Sequence, residues 1–238
     1  MERNINSLIG YKMEATNGEI GKTEEFYFED DSWKIKYIIV KTGGWLFFRK
    51  VLISPIALVK GDWKEGVFPV TITKEQVSDS PGIDTDKPVS RQQEIELYGH
   101  YAWQRYGGSG FYAGGTAEAM DFAPIIDETI TKEADPTDKR SNDGLHLRST
   151  QNVTGYNIHA TDGEIGHVTD FIFDDQTWQI LYFVVDTNNW LGGKKVLIKV
   201  KHVNKMEWDD SKVFVNVSIE DVKTSPLFEE PDYLHLQV

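Results

Sequence analysis

The sequence contains no cysteine, which excludes a disulfide scaffold, a thiolate metal site and a cysteine nucleophile. Long apolar runs are also missing. The purest, Tyr37-Ile38-Ile39-Val40, is far too short to cross a bilayer. The opening MERNINSLIGYKMEAT lacks the basic region and apolar core of a secretory signal. Positive charge is scarce: 25 Lys and Arg stand against 38 Asp and Glu, a formal net charge of −13. Attraction to Lys and Arg dominates binding to phosphate backbones and anionic headgroups, and no basic patch stands out, so the composition argues against a nucleic-acid partner. The excess acid is expected to serve solubility. Together these absences predict a soluble, cytoplasmic protein with no membrane span. No Gly-x-Ser-x-Gly elbow, Walker loop or His-Glu-x-x-His motif is present, and the expectation is a non-enzyme without a cofactor.

What the chain does contain is a repeat. Sliding it by 145 positions lays residues 10–81 on 155–226 without a gap, and roughly four in ten columns are identical. GYKMEATNGEIGKTEEFYFEDDSWKIKYIIVKTGGWLFFRKVLI meets GYNIHATDGEIGHVTDFIFDDQTWQILYFVVDTNNWLGGKKVLI. Two long copies predict tandem units, not a solenoid.

Within each copy the pattern is β. Asn17-Gly18 and Asp162-Gly163 sit between short extended runs and predict tight hairpin turns, with Gly21 and Gly166 closing the same turn motif. Phe26 and Phe28, like Phe171 and Phe173, alternate with other residues before an acidic turn. Trp33, Ile35, Tyr37 and Ile39 then follow at the period of a half-buried strand, matched by Trp178, Ile180, Tyr182 and Val184. Apolar residues on the second face, Ile38-Val40 and Phe183-Val185, predict cover from both sides, by barrel closure or by the other copy. Val51-Leu52-Ile53 and Val196-Leu197-Ile198 make another strand. Thr73-x-x-Gln76 and Ser218-x-x-Asp221 predict capped short helices, and Pro69 predicts an edge strand.

The Gly-Tyr pair, the ATDGEIG turn, the FDDxxWxIxYxVVDT strand pair and the WLxGKKVLI segment resemble the PRC-barrel family. That family includes the cytoplasmic domain of the photosynthetic reaction-centre H subunit and the C-terminal domain of a ribosome maturation factor. The resemblance covers both repeats and implies a compact, mainly antiparallel barrel for each. The expected fold is mainly β: two small PRC-like antiparallel β-barrels related by internal duplication, with a partly helical connector. The units are 1–81 and 151–238. Between them lies 82–150, carrying an amphipathic helix near 90–103 that docks on a barrel, with a mobile stretch beyond it.

The turn motif lacks the following helix that a phosphate loop needs and the ligand spacing of a calcium loop. The acidic turns at 29–31 and 174–175 read as solvent-open hairpin tips. The six histidines, including His159 and His167 flanking one hairpin, do not make a zinc set. The tryptophans at 33 and 178 share parity with the core face and read as packing. Trp45-Leu46-Phe47-Phe48, with Trp190 in the second copy, differs. So much apolar surface after Thr42-Gly43-Gly44 calls for cover by the other copy or by a partner.

The expected role is a protein-protein interaction or assembly module with a protein partner, and a homodimer is possible through open sheet edges. The resemblance adds two alternatives: ribosome assembly by binding a ribosomal protein, or a peripheral place in a membrane electron-transfer complex.

Overall fold

A computed structural model describes residues 1–59, 63, 66–81, 97, 99–101, 147–188 and 192–228. The chain is mainly β, and its strands join in one mixed sheet. The first half contributes β1 (Glu2–Asn4), β2 (Lys12–Ala15), β3 (Gly18–Glu29), β4 (Lys34–Thr42), β5 (Lys50–Ile53) and β6 (Val67–Pro69). It ends in helix α1 (Lys74–Ser78). The second half opens with β7 (Leu147–Ser149) and helix α2 (Thr150–Val153), followed by β8 (Asn157–Ala160), β9 (Gly163–Asp174), β10 (Gln179–Asp186) and β11 (Lys195–Lys199). Strands β12 (Val203–Glu207) and β13 (Lys212–Val215) and helix α3 (Ile219–Lys223) complete it.

The two halves pair their strands alike. β2–β3–β4–β5 and β8–β9–β10–β11 are antiparallel ladders. Each half also holds one parallel pair, β2 with β6 and β8 with β13. Each half therefore adds one parallel pair to the mainly antiparallel pairing that the resemblance implies. The reason is topological: the chain between β2 and β6 is long enough to cross over and return in the same direction. Pro69 lies in β6, at one end of the strand order.

The halves are not separate barrels joined by a tether. β1 leaves its own half and pairs with β9, while β7 pairs with β3. β4 and β10 meet antiparallel at Lys34 and Gln179. The Ile35 amide donates to the Trp178 carbonyl at 2.8 Å, and the Ile180 amide to the Trp33 carbonyl at 2.8 Å. These residues match at the 145-residue offset, so the contact has twofold form. One hydrophobic cluster runs through both halves. In it Phe26 meets Phe173 with ring centroids 6.4 Å apart, Phe28 meets Phe171 at 6.0 Å, and Trp33 meets Phe183 edge-on at 5.3 Å. The second apolar face of the central strands is thus covered by the opposite half.

The hairpin turns lie one residue ahead of the expected Asn17-Gly18 and Asp162-Gly163 pairs. The two-residue hairpin loops are Thr16-Asn17 and Thr161-Asp162, and Gly18 and Gly163 open the next strands with φ of +133° and +158°. From the turns, the side chains of Asn17 and Asp162 also reach the first amides of the short helices. The Asn17 side-chain oxygen accepts from the Lys74 amide at 2.9 Å, and the Asp162 carboxylate from the Ile219 amide at 2.8 Å. Thr73 with Gln76 and Ser218 with Asp221 form capping boxes at the same helices. Gly21 and Gly166 lie inside β3 and β9. A Cβ there would overlap the Lys41 or the Asp186 carbonyl oxygen of the neighbouring strand. Their role is close approach of two backbones.

Gly166→Ala is expected to cost on the order of 3 kcal/mol, because backbone on a paired strand cannot move aside. Gly155→Ala has open space around its Cβ and only an unfavourable φ of +94°, worth about 1 kcal/mol. Urea midpoints of the two variants measured side by side check this order.

Candidate interaction surfaces

The apolar turn after β4 divides. Gly44–Leu46 forms one 3-10 turn. Trp45 folds inward: its indole N–H donates to the Ile20 carbonyl at 2.7 Å, and Lys74 Nζ sits 4.3 Å above its ring. Leu46 is half-buried against the core. Phe47 and Phe48 point out, 91% and 65% exposed. Both hold left-handed backbone, with φ of +52° and +57°. The positions matching them in the second half are Gly192 and Gly193, with φ of +69° and +70°. The backbone shape is shared, but only the first half places two phenylalanines where glycine is the unstrained choice. Trp190 lies outside the described residues.

The turn is anchored on both sides. The Thr42 hydroxyl donates to the Arg49 carbonyl at 2.9 Å. The Arg49 guanidinium then donates to the backbone carbonyls of Ser80 at 2.6 Å and Pro81 at 2.9 Å. The phenylalanines therefore stand on a fixed base.

A second surface is the seam between the halves, and here the acidic turns depart from expectation. They are not open tips. Asp175 accepts from Arg3 Nε at 2.7 Å, and Asp30 from Arg148 Nε at 2.9 Å. The carboxylate side chains are only 14% and 12% exposed. Each guanidinium also faces an indole of its own half, Arg3 over Trp63 at 5.1 Å and Arg148 over Trp208 at 3.7 Å. All four pairs obey the 145-residue offset. Extending the slide from residue 10 back to residue 3 aligns Arg3 with Arg148, which is the signal that identifies these arginines. The chain amine joins the cluster, 2.7 Å from Asp175, and the neighbouring carboxylate holds its pKa up.

Two buried acids complete the seam at matching positions, Glu25 and Asp170. Glu25 accepts from the Ser149 hydroxyl. Asp170 accepts from the Asn4 side chain at 2.9 Å and from the Asn6 and Phe171 amides at 3.0 and 2.7 Å. Each acid thus holds the segment that crosses over from the opposite half. Burial pushes the Asp170 carboxyl up, against those hydrogen bonds, which pull it down.

The remaining candidates stay dispersed. His159 stacks on Phe214 at 5.2 Å and pairs with Glu164, while His167 pairs with Asn157. Among the described residues no three His, Asp or Glu side chains converge as a metal site. His146, His235 and most of the 90–103 segment lie outside the described residues. Of that segment Leu97, Gly99 and His100 are helical, Leu97 and Tyr101 are buried, and His100 Nε2 lies 2.6 Å from the Gln76 carbonyl. This end of the segment packs on the first half. Among the described residues no helix is long and apolar enough to cross a membrane.

Residues 150–222 match the PRC-barrel domain. A stretch of 109 residues is 31% identical to a protein of Deinococcus radiodurans named only as uncharacterized. That match takes in 40% of this chain and 39% of the relative, so it spans well under half of the relative's length. The second half therefore contains a PRC-barrel domain.

A carboxyl whose pKa is higher folded than unfolded binds its proton more tightly in the native state. It lowers stability as pH rises through that raised pKa. Removing the charge should accordingly help most at higher pH. From about pH 4 to about pH 7, stability is expected to shift in favour of Asp170→Asn relative to the wild type. Urea midpoints across that range test it. A difference that does not vary with pH would show that Asp170 titrates alike in both states.

Proposed function

We propose that this protein is a non-enzymatic, cytoplasmic interaction or assembly module built from two PRC-like units, the first over 1–81 and the second over 151–238. It engages a protein partner through the Phe47–Phe48 tip. The second unit's domain match and the shared strand pairing of the first support the two-unit reading. Among the described residues, the positions repeated between the halves serve turns, close backbone approach and the seam, and none of these assembles acid, base and nucleophile in one cleft.

The observation that carries the partner surface is the tip itself. Two large apolar side chains are held in a strained backbone conformation, on an anchored turn, and remain exposed. Strain of this kind persists only where the surroundings enforce it. Here it gains no burial within the described fold. A rigid aromatic pair loses little conformational freedom on docking, which suits it as the centre of a protein contact.

Replacing the pair with the second half's solution, Phe47→Gly with Phe48→Gly, is expected to leave stability within about 1 kcal/mol, since relief of left-handed strain offsets the added freedom of the unfolded chain. Affinity purification under native conditions should then lose a defined protein that the wild-type chain retains. Trp45→Ala should instead lower the melting temperature, because its indole packs and hydrogen-bonds inward. Identical co-purifying proteins for the wild type and the double-glycine variant would count against the tip as the contact.

A further inference from the structure

The seam between the halves has a property that does not depend on the exposed tip. Its contacts come in reciprocal pairs. Arg3 meets Asp175 as Arg148 meets Asp30. β1 lies on β9 with Glu2 opposite Asp174, Arg3 opposite Phe173 and Asn4 opposite Ile172. β7 lies on β3 with Leu147 opposite Glu29, Arg148 opposite Phe28 and Ser149 opposite Tyr27, which is the same register at the 145-residue offset. The Ile35 and Ile180 amides exchange bonds with the Trp178 and Trp33 carbonyls in the same way. A self-complementary interface of this kind is what two identical subunits make. Here it joins two segments of one chain, separated by the residues between Tyr101 and Leu147.

We infer that this seam also forms between chains, with the first half of each molecule docked on the second half of another, giving a closed two-chain assembly with two seams. The chemistry of each seam is identical whether its halves share a chain or not. What favours closure within a chain is the covalent link, since joined partners meet at a raised effective concentration. The occupant is a second copy of this chain because the charges require it. Each seam presents an arginine beside an aromatic ring and, on the same half, a carboxylate turn, so the surface fits its own kind with both signs matched. Two strands, β1 and β7, already cross from the half to which they belong, so exchange needs no new pairing.

Complementary charge reversal separates the two routes. One chain carries Arg3→Glu with Asp30→Arg, and the other carries Arg148→Glu with Asp175→Arg. Each alone sets like charges against one another at both ion pairs of its own seam. Mixed, every pair is complementary, but only across chains. The expected result on light scattering is a one-to-one complex of twice the chain mass. Its melting temperature should exceed that of either chain alone by on the order of 5 °C. Two monomers that melt in the mixture as they do apart would overturn the inference. Because reversed charges could impair folding, the wild-type chain gives an independent reading. Refolded from urea over a range of chain concentrations, it should yield a two-chain species whose share rises with concentration. A monomer at every concentration would overturn it.

Discussion

The fold depends on an antiparallel contact at one pair of residues, where Lys34 and Gln179 face each other and two backbone bonds of 2.8 Å tie Trp33 to Ile180 and Trp178 to Ile35. A unit of some 70 residues buries only a modest share of its surface when alone. Here each unit presents one apolar sheet face to the other, and the phenylalanines of β3 and β9 meet between them. The halves complete one another's cores. The strands β1 and β7 extend this by crossing over, so that the long strand of each unit also pairs with a short strand supplied by its counterpart.

Charge is placed around that apolar contact with the same symmetry. Exposed ion pairs contribute little, but Arg3–Asp175 and Arg148–Asp30 are mostly shielded, and each guanidinium has an indole behind it. Behind them lie Glu25 and Asp170, whose oxygens hold the crossing segments through Ser149, Asn4 and Asn6. Buried acids are costly to keep charged. Their presence at matching positions indicates that they position the crossing segments as well as adding to cohesion.

Much of this was legible in the residues. The strands, the capped helices and the edge position of Pro69 follow from periodicity, capping pairs and the missing proline amide, all of which are local. The twofold relation follows from the repeat. The seam was harder to read, because an acidic turn looks the same in sequence whether it meets water or an arginine of another segment. The partner arginines lie before the stretch where the repeat is densest. Gly21 and Gly166 were similarly ambiguous, since a glycine needed for close approach is indistinguishable from one needed for a turn until the neighbouring carbonyl is located. The apolar turn could be read only as a block, and its division into inward Trp45 and outward Phe47 and Phe48 is set by left-handed backbone that no pattern of hydrophobicity reports.

The two units differ most visibly in what their shared left-handed turn carries, two aromatic rings on one side and two glycines on the other. A symmetric pair would offer a matching knob at each end and could link neighbours into an open string. Among the described residues only the first half's turn carries such a knob. A contact that needs both rings would therefore be made at the first half's turn and not at the glycine pair of the second.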